Sequence, residues 1–456
     1  MSNLGKVILG VGACLILIFA FYYDWFYDEA WTWQAVQETS FYGIFTYNPF
    51  YFANNHLLNS IWVKCVQSIG IDNLLVIRVL SVVSGIIFFL YSLLLFEKMK
   101  VEKWKFLLII FTPFILFFSQ ARGYALSFAC LSIALYYIIY IIEENYTWKY
   151  TVIISLSLSI SILANFSFVF FNSILLVILL VHFLNKRQRL KGVVLLIVYL
   201  VPLLYTLYFG LRVNQNDMYI IGSDSFLDLF LSLAGHFSYS KPWGLLDVRK
   251  WPIVLSIIVL GLACVGIKKT QGFKNSLINL LLLSLVLSLV LVFFSHILLG
   301  SAYPVSRATL VYVYIILMVL ILGSQNSQFP SLTKWSMTIY LMHSILICVW
   351  YLWDLQRPNI REILRNADKN NQTLNVWSVS PAYVQMTRDQ NYKIFQSYDL
   401  EELDNKIALE IRTQEEPLII LKYSDILKFD LNSFNVKEST RLQRGMMLYK
   451  LQNKSQ

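Results

Sequence analysis

The sequence is poor in charged residues. Only 14% of its 456 residues are charged, whereas 57% are hydrophobic. Because soluble globular domains carry about a quarter charged residues, this composition excludes an ordinary soluble protein. Apolar runs long enough to cross a bilayer recur from Val7 to about Trp353. The sequence therefore predicts a polytopic α-helical membrane protein that ends in a soluble tail.

Cysteine pairs and nucleotide-binding motifs are also missing. None of the five cysteines belongs to a Cys-x-x-Cys pair, so the sequence predicts neither a disulfide framework nor a zinc site. The tail has no GxGxxG, P-loop or GxSxG motif. No small-x-small cleavage site follows the first apolar run, which we interpret as a retained helix. The net charge is +10, and Lys and Arg in the cytoplasmic loops of a membrane protein can account for much of it. The charge therefore does not predict a nucleic-acid partner.

Hydrophobicity predicts about eleven transmembrane helices. Their expected ranges are 7–23, 74–96, 105–119, 123–142, 150–164, 166–184, 192–210, 251–267, 275–298, 304–323 and 335–353. Lys and Arg cluster in one set of connecting loops, which the positive-inside rule places in the cytoplasm together with Lys6. We therefore expect a multi-pass protein of the cytoplasmic membrane, with a cytoplasmic N-terminus and an extracytoplasmic C-terminus. Residues 1–354 are expected to form the transmembrane module and residues 355–456 a soluble domain.

Two predicted outer loops are too long for simple connectors. Residues 24–73 contain two amphipathic helical patterns, 29–40 and 57–69, which are expected to lie in the membrane interface. Residues 211–250 are expected to form a half-embedded lid. In the tail, alternating helix and strand patterns predict a small extracytoplasmic α/β domain. Its expected helices are 357–368 and 400–412, and its expected strands are 374–378, 393–396, 417–422 and 446–451.

The predicted outer side collects an unusual mixture of acids, histidines and arginines. Asp28 and Glu29 follow the first helix, where either carboxylate could act as a general base or, with His56, hold a divalent cation. His56 follows Asn54 and Asn55, and these side chains could supply hydrogen bonds to a sugar or a phosphate. The alternative for each residue is a structural role at the membrane boundary.

Several cations on this side are suited to an anionic group. Arg122 lies in a very short outer turn, where its guanidinium could grip a lipid phosphate in bidentate fashion. Arg78 lies several residues inside the second predicted helix, so its charge must pair with an acid or line a cavity. Arg307, Lys241 and His236 are further candidates for the same anion, with placement among lipid headgroups as the alternative.

The order of these motifs resembles that of a known family. The matching elements are Asp28-Glu29, Asn55-His56-Leu57, Arg78-x-x-Ser81 and Ala121-Arg122-Gly123-Tyr124. They are similar to motifs of bacterial GT-C superfamily glycosyltransferases of the family 39 and aminoarabinose-transferase type. The resemblance covers the first 140 residues in detail and the remainder in layout.

The resemblance implies a GT-C fold and an integral-membrane glycosyltransferase. Such an enzyme moves a sugar from a polyprenyl-phosphate donor to a glycan, lipid or protein acceptor on the outer side of the membrane. By the same resemblance, Asp28 is the base that deprotonates the acceptor hydroxyl. Arg122 and the later cations hold the leaving phosphate, and Tyr124 belongs to the substrate site.

The chain departs from the family pattern at two places. The prolines that often follow the histidine are absent, and Gln120 stands where relatives often have Glu. If that Glu is a metal ligand or a second acid in relatives, its replacement by Gln120 counts against a bound metal. It also makes Glu29 the stronger candidate for the second acid.

Two other function classes stay open. A transporter or flippase of polyprenyl-linked glycans predicts charged residues near the bilayer midplane and broken helices. A polymerase or ligase of surface polysaccharide is kept open by the long 211–250 loop.

Overall fold

The structure is a computed structural model of the chain and is mostly helical. It describes residues 1–23, 26–37, 39–47, 56–71, 73–111, 114–215, 223–238, 273–304, 306–326 and 330–354, and five strands in the remainder. In chain order, helices α1 to α15 are Asn3–Tyr22, Tyr27–Gln37, Phe41–Thr46, Leu57–Ser68, Leu74–Lys98, Leu107–Ile110, Phe114–Phe118, Gly123–Ile142, Trp148–Ala164, Val169–Asn185, Arg189–Gln215, Phe226–Ser238, Phe273–Leu299, Leu310–Gly323 and Pro330–Asp354. Short 3-10 turns are Lys103–Phe106, Phe166–Phe168, Ser306–Thr309 and Ser324–Asn326.

Length and composition support a multi-pass membrane protein. The helical segments of the described residues that are long and apolar enough to cross a bilayer are Asn3–Tyr22, Leu74–Lys98, Gly123–Ile142, Phe166–Asn185, Arg189–Gly210 and Ser276–Leu299. Shorter apolar segments are Trp148–Ala164, Arg307–Gly323 and Tyr340–Trp353. The predicted count of about eleven is not confirmed. The predicted helix 251–267 lies outside the described residues.

The predicted helix 105–119 is wrong. Its described residues form the 3-10 turn Lys103–Phe106 and two short helices, α6 and α7, on either side of Thr112 and Pro113. A proline lacks the backbone donor and clashes with the carbonyl four residues earlier, so a continuous helix is disfavoured here. The apolar side chains of this segment are nevertheless buried, which explains why hydrophobicity alone predicted a membrane helix.

The chain forms two compact units. The first consists of Met1–Ala20 and Thr39–Ile347, and the second of Phe21–Glu38 and Cys348–Gln456. In the first unit, α5 packs on α8, α8 on α9, and α9 on α11. Every residue of α14 is buried, so this helix lies at the centre of its unit.

Serines fix the register of α8 against α9. Ser127 Oγ donates to the carbonyl of Ser161 at 2.7 Å, and Ser161 Oγ donates to the carbonyl of Ser127 at 3.1 Å. We call this reciprocal pair the serine clasp. Small polar side chains let membrane helices approach closely and bond across the interface. Because Ser127 lies one turn from the start of α8 and Ser161 one turn from the end of α9, the clasp sets these two helix ends side by side.

The second unit joins part of the first predicted outer loop to the tail. Within it, the Tyr23 hydroxyl donates to the carbonyl of Tyr351 at 3.4 Å. The five strands β1 to β5 are Asn375–Trp377, Lys393–Phe395, Leu418–Lys422, Phe434–Arg441 and Met446–Asn453. β1 pairs with β2 in parallel, and β5 lies between β3 and β4 in an antiparallel sheet.

Four of these strands lie where the sequence predicts them, whereas β4 was not predicted. The predicted tail helices 357–368 and 400–412 lie outside the described residues. The extracytoplasmic α/β domain and its boundary after residue 354 therefore stay predictions.

Candidate functional site

The site begins with a contact between His56 and Arg122. Arg122 Nη2 and His56 Nε2 are 3.1 Å apart, although the two residues are separated by 66 positions in the chain. His56 directly precedes α4, and Arg122 directly precedes α8. Both side chains are buried, with 7% and 2% of their surface exposed. Two helix starts therefore bring the predicted histidine and the predicted arginine together.

Tyr124 completes a three-membered group, which we call the His56–Arg122 cluster. The Arg122 guanidinium carbon lies 5.2 Å from the centre of the Tyr124 ring. The His56 and Tyr124 ring centres are also 5.2 Å apart, in an edge-on arrangement. A guanidinium over an aromatic face is stabilised by the negative face of the ring. The predicted Tyr124 thus helps to fix the direction of the Arg122 side chain.

Gly123 lets the end of α9 reach the cluster. The carbonyl oxygen of Ala164 lies so close to Gly123 that a Cβ there would meet it at 1.8 Å. His56 also forms a hydrogen bond with the backbone of Ala164. The carbonyl at the C-terminus of α9 therefore holds the imidazole against the N-terminus of α8.

Backbone contacts hold the turn that carries Arg122. Ser81 Oγ donates to the Arg122 carbonyl at 2.9 Å, and the Arg122 N–H donates back to Ser81 Oγ at 3.1 Å. The buried Asn59 donates from Nδ2 to the carbonyl of Ala121 at 2.8 Å. Side chains of α4 and α5 thus both form hydrogen bonds with the backbone just before α8, and these bonds fix the backbone position of Arg122.

Positive charge dominates the surroundings of His56. Burial, followed by the charges of Arg122 and Arg307, holds the pKa of His56 well below its usual value of 6.5. A neutral imidazole can accept from Arg122 on Nε2 while its other nitrogen donates to Ala164. Arg307 is therefore near enough to act electrostatically on the cluster. The N-terminus of α8 adds the positive end of a helix dipole to the two guanidinium groups.

Asp28 and Glu29 belong to the other unit and occupy the first turn of α2. Both side chains are buried. Glu29 Oε2 accepts from the Phe26 N–H at 2.8 Å, and the Asp28 carbonyl accepts from Thr32 Oγ1 at 2.7 Å. Acidic side chains are stabilised at a helix N-terminus. The contact with Phe26 gives Glu29 a role in capping α2.

Arg78 is fully buried in α5, as its depth in the predicted helix required. Its Nη1 donates to the carbonyl of Ala20 at 2.8 Å. Ala20 lies in the last turn of α1, where a cation is favourably placed against the helix dipole. This contact supports a structural role for Arg78, and its predicted contact with a phosphate is untested.

Other predicted site residues cannot be placed. Asn54, Asn55 and Lys241 lie outside the described residues, and of His236 only the backbone, in α12, is described. Within the described part of the chain, no group of three or more His, Cys, Asp and Glu side chains could hold a metal ion. A divalent cation bound by Asp28, Glu29 and His56 stays a prediction.

Sequence reasoning missed three buried residues near the cluster or adjacent in the chain to residues that contact it. Asn59, Ala164 and Asn165 are all buried around it. The signal for Asn165 is present in the sequence, since it is a polar residue at the short break between two apolar runs. The contact of Ala164 is made by its backbone, so no side-chain pattern marks it.

Comparisons with known proteins gave distant matches. No protein-family model matches the chain. No curated protein matches it either. Two crystal structures of ArnT from Cupriavidus metallidurans are similar to it in shape. The apo structure has 10% identity and a TM-score of 0.34 over 86% of both chains. The structure bound to undecaprenyl phosphate has 11% identity and a TM-score of 0.37 over 98% of both chains. Likenesses this remote leave fold and activity to be argued from the chain itself.

Proposed function

We propose that this protein is a membrane glycosyltransferase that takes a sugar from a polyprenyl-phosphate donor. The sugar passes to an acceptor on the outer face of the cytoplasmic membrane, in cell-surface glycan, lipid or protein glycosylation. The observation that carries the proposal is the placement of Arg122. Its buried guanidinium stands at the start of α8, against a neutral His56 and near Arg307.

This arrangement is suited to a phosphate. Backbone N–H groups and the dipole at a helix N-terminus favour an anion, and arginine can bind two phosphate oxygens at once. The contacts with His56 and Tyr124 fix the guanidinium before any ligand arrives, which lowers the entropic cost of binding. A phosphate that leaves the sugar gains negative charge, and preorganised cations lower the energy of that step.

The proposed reaction assigns the base to Asp28. Its carboxylate takes the proton of an acceptor hydroxyl, and the acceptor oxygen forms a new bond to the anomeric carbon of the sugar. The bond between that carbon and the phosphate oxygen breaks, and polyprenyl phosphate leaves with the electron pair. Glu29 is the weaker candidate, because its Oε2 already accepts from the Phe26 N–H.

Two variants test this assignment. Purified protein would be mixed with polyprenyl-phosphate sugars that carry a labelled sugar and with an envelope fraction as the acceptor source. We expect Asp28→Asn to abolish transfer, whereas Glu29→Gln, whose amide oxygen can still accept from Phe26, should reduce it far less. Full transfer by Asp28→Asn, with the protein folded and inserted, would exclude Asp28 as the base.

The same assay separates the transporter alternative. A flippase moves the intact lipid-linked glycan, so the label stays in the lipid extract and only changes leaflet. A transferase breaks the bond to the phosphate, so the label moves from the polyprenyl-phosphate donor to a chemically different product, which chromatography separates from the donor even when the acceptor is a lipid. Polymerases and ligases of surface polysaccharide differ in transferring chains of many sugars, which the size of the labelled product reveals.

A further inference from the structure

Asn165 carries a polar group that its structural role does not use. This side chain is 97% buried, with 3% exposed, at the corner between α9 and the 3-10 turn Phe166–Phe168. Its Oδ1 accepts from the Ser167 N–H at 3.0 Å and from Ser167 Oγ at 2.9 Å. Because a backbone N–H can only donate, this contact fixes which end of the amide is oxygen. Within the part of the chain that the structure describes, Nδ2 has no hydrogen-bond partner.

Asn165 directly follows a residue that contacts the His56–Arg122 cluster. The preceding residue, Ala164, bonds to His56 and touches Gly123. The following residue, Phe166, stacks on the buried Tyr47 ring with centres 5.7 Å apart. Both neighbours of Asn165 are therefore held in place, and its own amide is held by the two bonds between Oδ1 and Ser167.

Capping alone does not explain an asparagine here. Serine and aspartate cap helical turns about as well as asparagine. A buried N–H without a partner is instead costly, and a group of this kind in a native protein calls for an explanation. The charges of Arg122 and Arg307 act on His56, which bonds to the residue before Asn165, so the ligand oxygen most favoured beside the cluster belongs to an anion.

We propose that Asn165 is a phosphate-binding residue, whose Nδ2 donates a hydrogen bond to a phosphate oxygen of the lipid-linked donor. The inference rests on the proposed function and adds a neutral donor to the cations of the site. Arg122 supplies a positive charge and two N–H donors in one plane. Asn165 would supply a third N–H donor, which reaches the phosphate from another direction. A tetrahedral phosphate is held in one orientation when its donors come from different directions.

A cap-preserving substitution tests this inference. Asn165→Ser keeps a side-chain oxygen for capping and removes the buried Nδ2 amide, leaving only a shorter hydroxyl. Asn73→Ser is the matched control, because Asn73 is an exposed N-cap whose Oδ1 accepts from the Leu75 N–H at 2.9 Å. A polyprenyl monophosphate would be titrated into each purified protein, and the corresponding polyprenol without phosphate would be titrated in parallel.

We expect Asn165→Ser to weaken binding of the monophosphate by about 10- to 100-fold, the loss of one hydrogen bond to a charged group. Its binding of the polyprenol, and both affinities of Asn73→Ser, should stay within about twofold of the original protein. Asn165→Asp should weaken monophosphate binding further, since a carboxylate repels the phosphate.

The outcomes separate the two proposals. If the original protein binds the monophosphate and Asn165→Ser binds it equally well, the role of Asn165 is refuted and the proposed function stands. An equal loss of monophosphate and polyprenol binding would mean a distorted pocket and would also refute it. If the original protein binds the polyprenol as tightly as the monophosphate, the proposed phosphate site itself is wrong.

Discussion

Gly123→Ala adds one methyl group at the most crowded point of the site. A Cβ at residue 123 would lie 1.8 Å from the carbonyl oxygen of Ala164, whereas ordinary contact begins at 3.4 Å. The start of α8 and the end of α9 must therefore separate by about 1.6 Å, a shift worked from those two distances. The new Cβ would also lie 3.0 Å from His56 Cβ, so the substitution crowds the His56 side chain as well.

The energetic cost can be bounded. Replacing glycine by alanine inside a helix normally stabilises it by about 0.5–1 kcal/mol. Overpacking costs about 1–3 kcal/mol, and loss of the bond between His56 and Ala164 adds about 1 kcal/mol. We therefore expect a net loss of about 1–3 kcal/mol in the free energy of unfolding. Because a misplacement of about 1 Å at a reacting group can cost 100-fold in rate, transfer should fall by about that factor.

Gly10→Ala is the matched control. Gly10 lies inside α1, and a Cβ there would meet nothing within 4 Å. Thermal unfolding in detergent and transfer of labelled sugar would be measured for both variants. Gly10→Ala should match or exceed the stability of the original protein and keep its activity. A Gly123→Ala protein with unchanged stability and activity would refute the close contact between α8 and α9.

Two further predictions concern pH and helix packing. The unfolded chain binds a proton on His56 below about pH 6.5, whereas the folded protein does not, so stability should fall as the pH drops below that value and level off above it. Thermal unfolding measured across pH, with His56→Gln as the control that lacks this dependence, checks the sign. For the serine clasp, Ser127→Ala and Ser161→Ala should each lower the free energy of unfolding by about 0.6 kcal/mol and at most about 1.7 kcal/mol, because each removes one hydroxyl that donates to the backbone carbonyl of the other residue. Unchanged stability in thermal unfolding of both variants would contradict the reciprocal bonds.

Local sequence patterns predicted where many elements lie. The apolar run that starts after Arg122 predicted a helix over 123–142, and α8 is Gly123–Ile142. The amphipathic pattern 57–69 predicted a helix, and α4 is Leu57–Ser68. The length of the apolar run carries the signal for α8, which is buried along most of its length, and the amphipathic period carries the signal for α4. The strand β4 was missed because its sequence alternates little and carries several charged residues.

The sequence could name the site residues but not their contacts. His56 and Arg122 were both candidates, yet their bond joins residues 66 positions apart and depends on how α4 and α8 pack. Arg78 was expected to pair with an acid or line a cavity, and it bonds to a backbone carbonyl, which no side-chain pattern reveals. Ala164 also contacts the cluster through its backbone carbonyl, so its side chain gave no signal in the sequence. Hydrophobicity also did not predict that α6 ends at Ile110, because hydropathy stays high through this apolar run while a proline in the run disfavours a continuous helix.

The central claim is that the His56–Arg122 cluster binds the phosphate of a polyprenyl-linked donor. Its most direct test is the equilibrium affinity of a polyprenyl monophosphate for the original protein, for Arg122→Gln and for Arg189→Gln, an exposed arginine at the start of α11. We expect Arg122→Gln to weaken binding at least about 10-fold, as befits the loss of a charge-assisted contact, and Arg189→Gln to leave it unchanged. Equal affinities for all three proteins would contradict the claim.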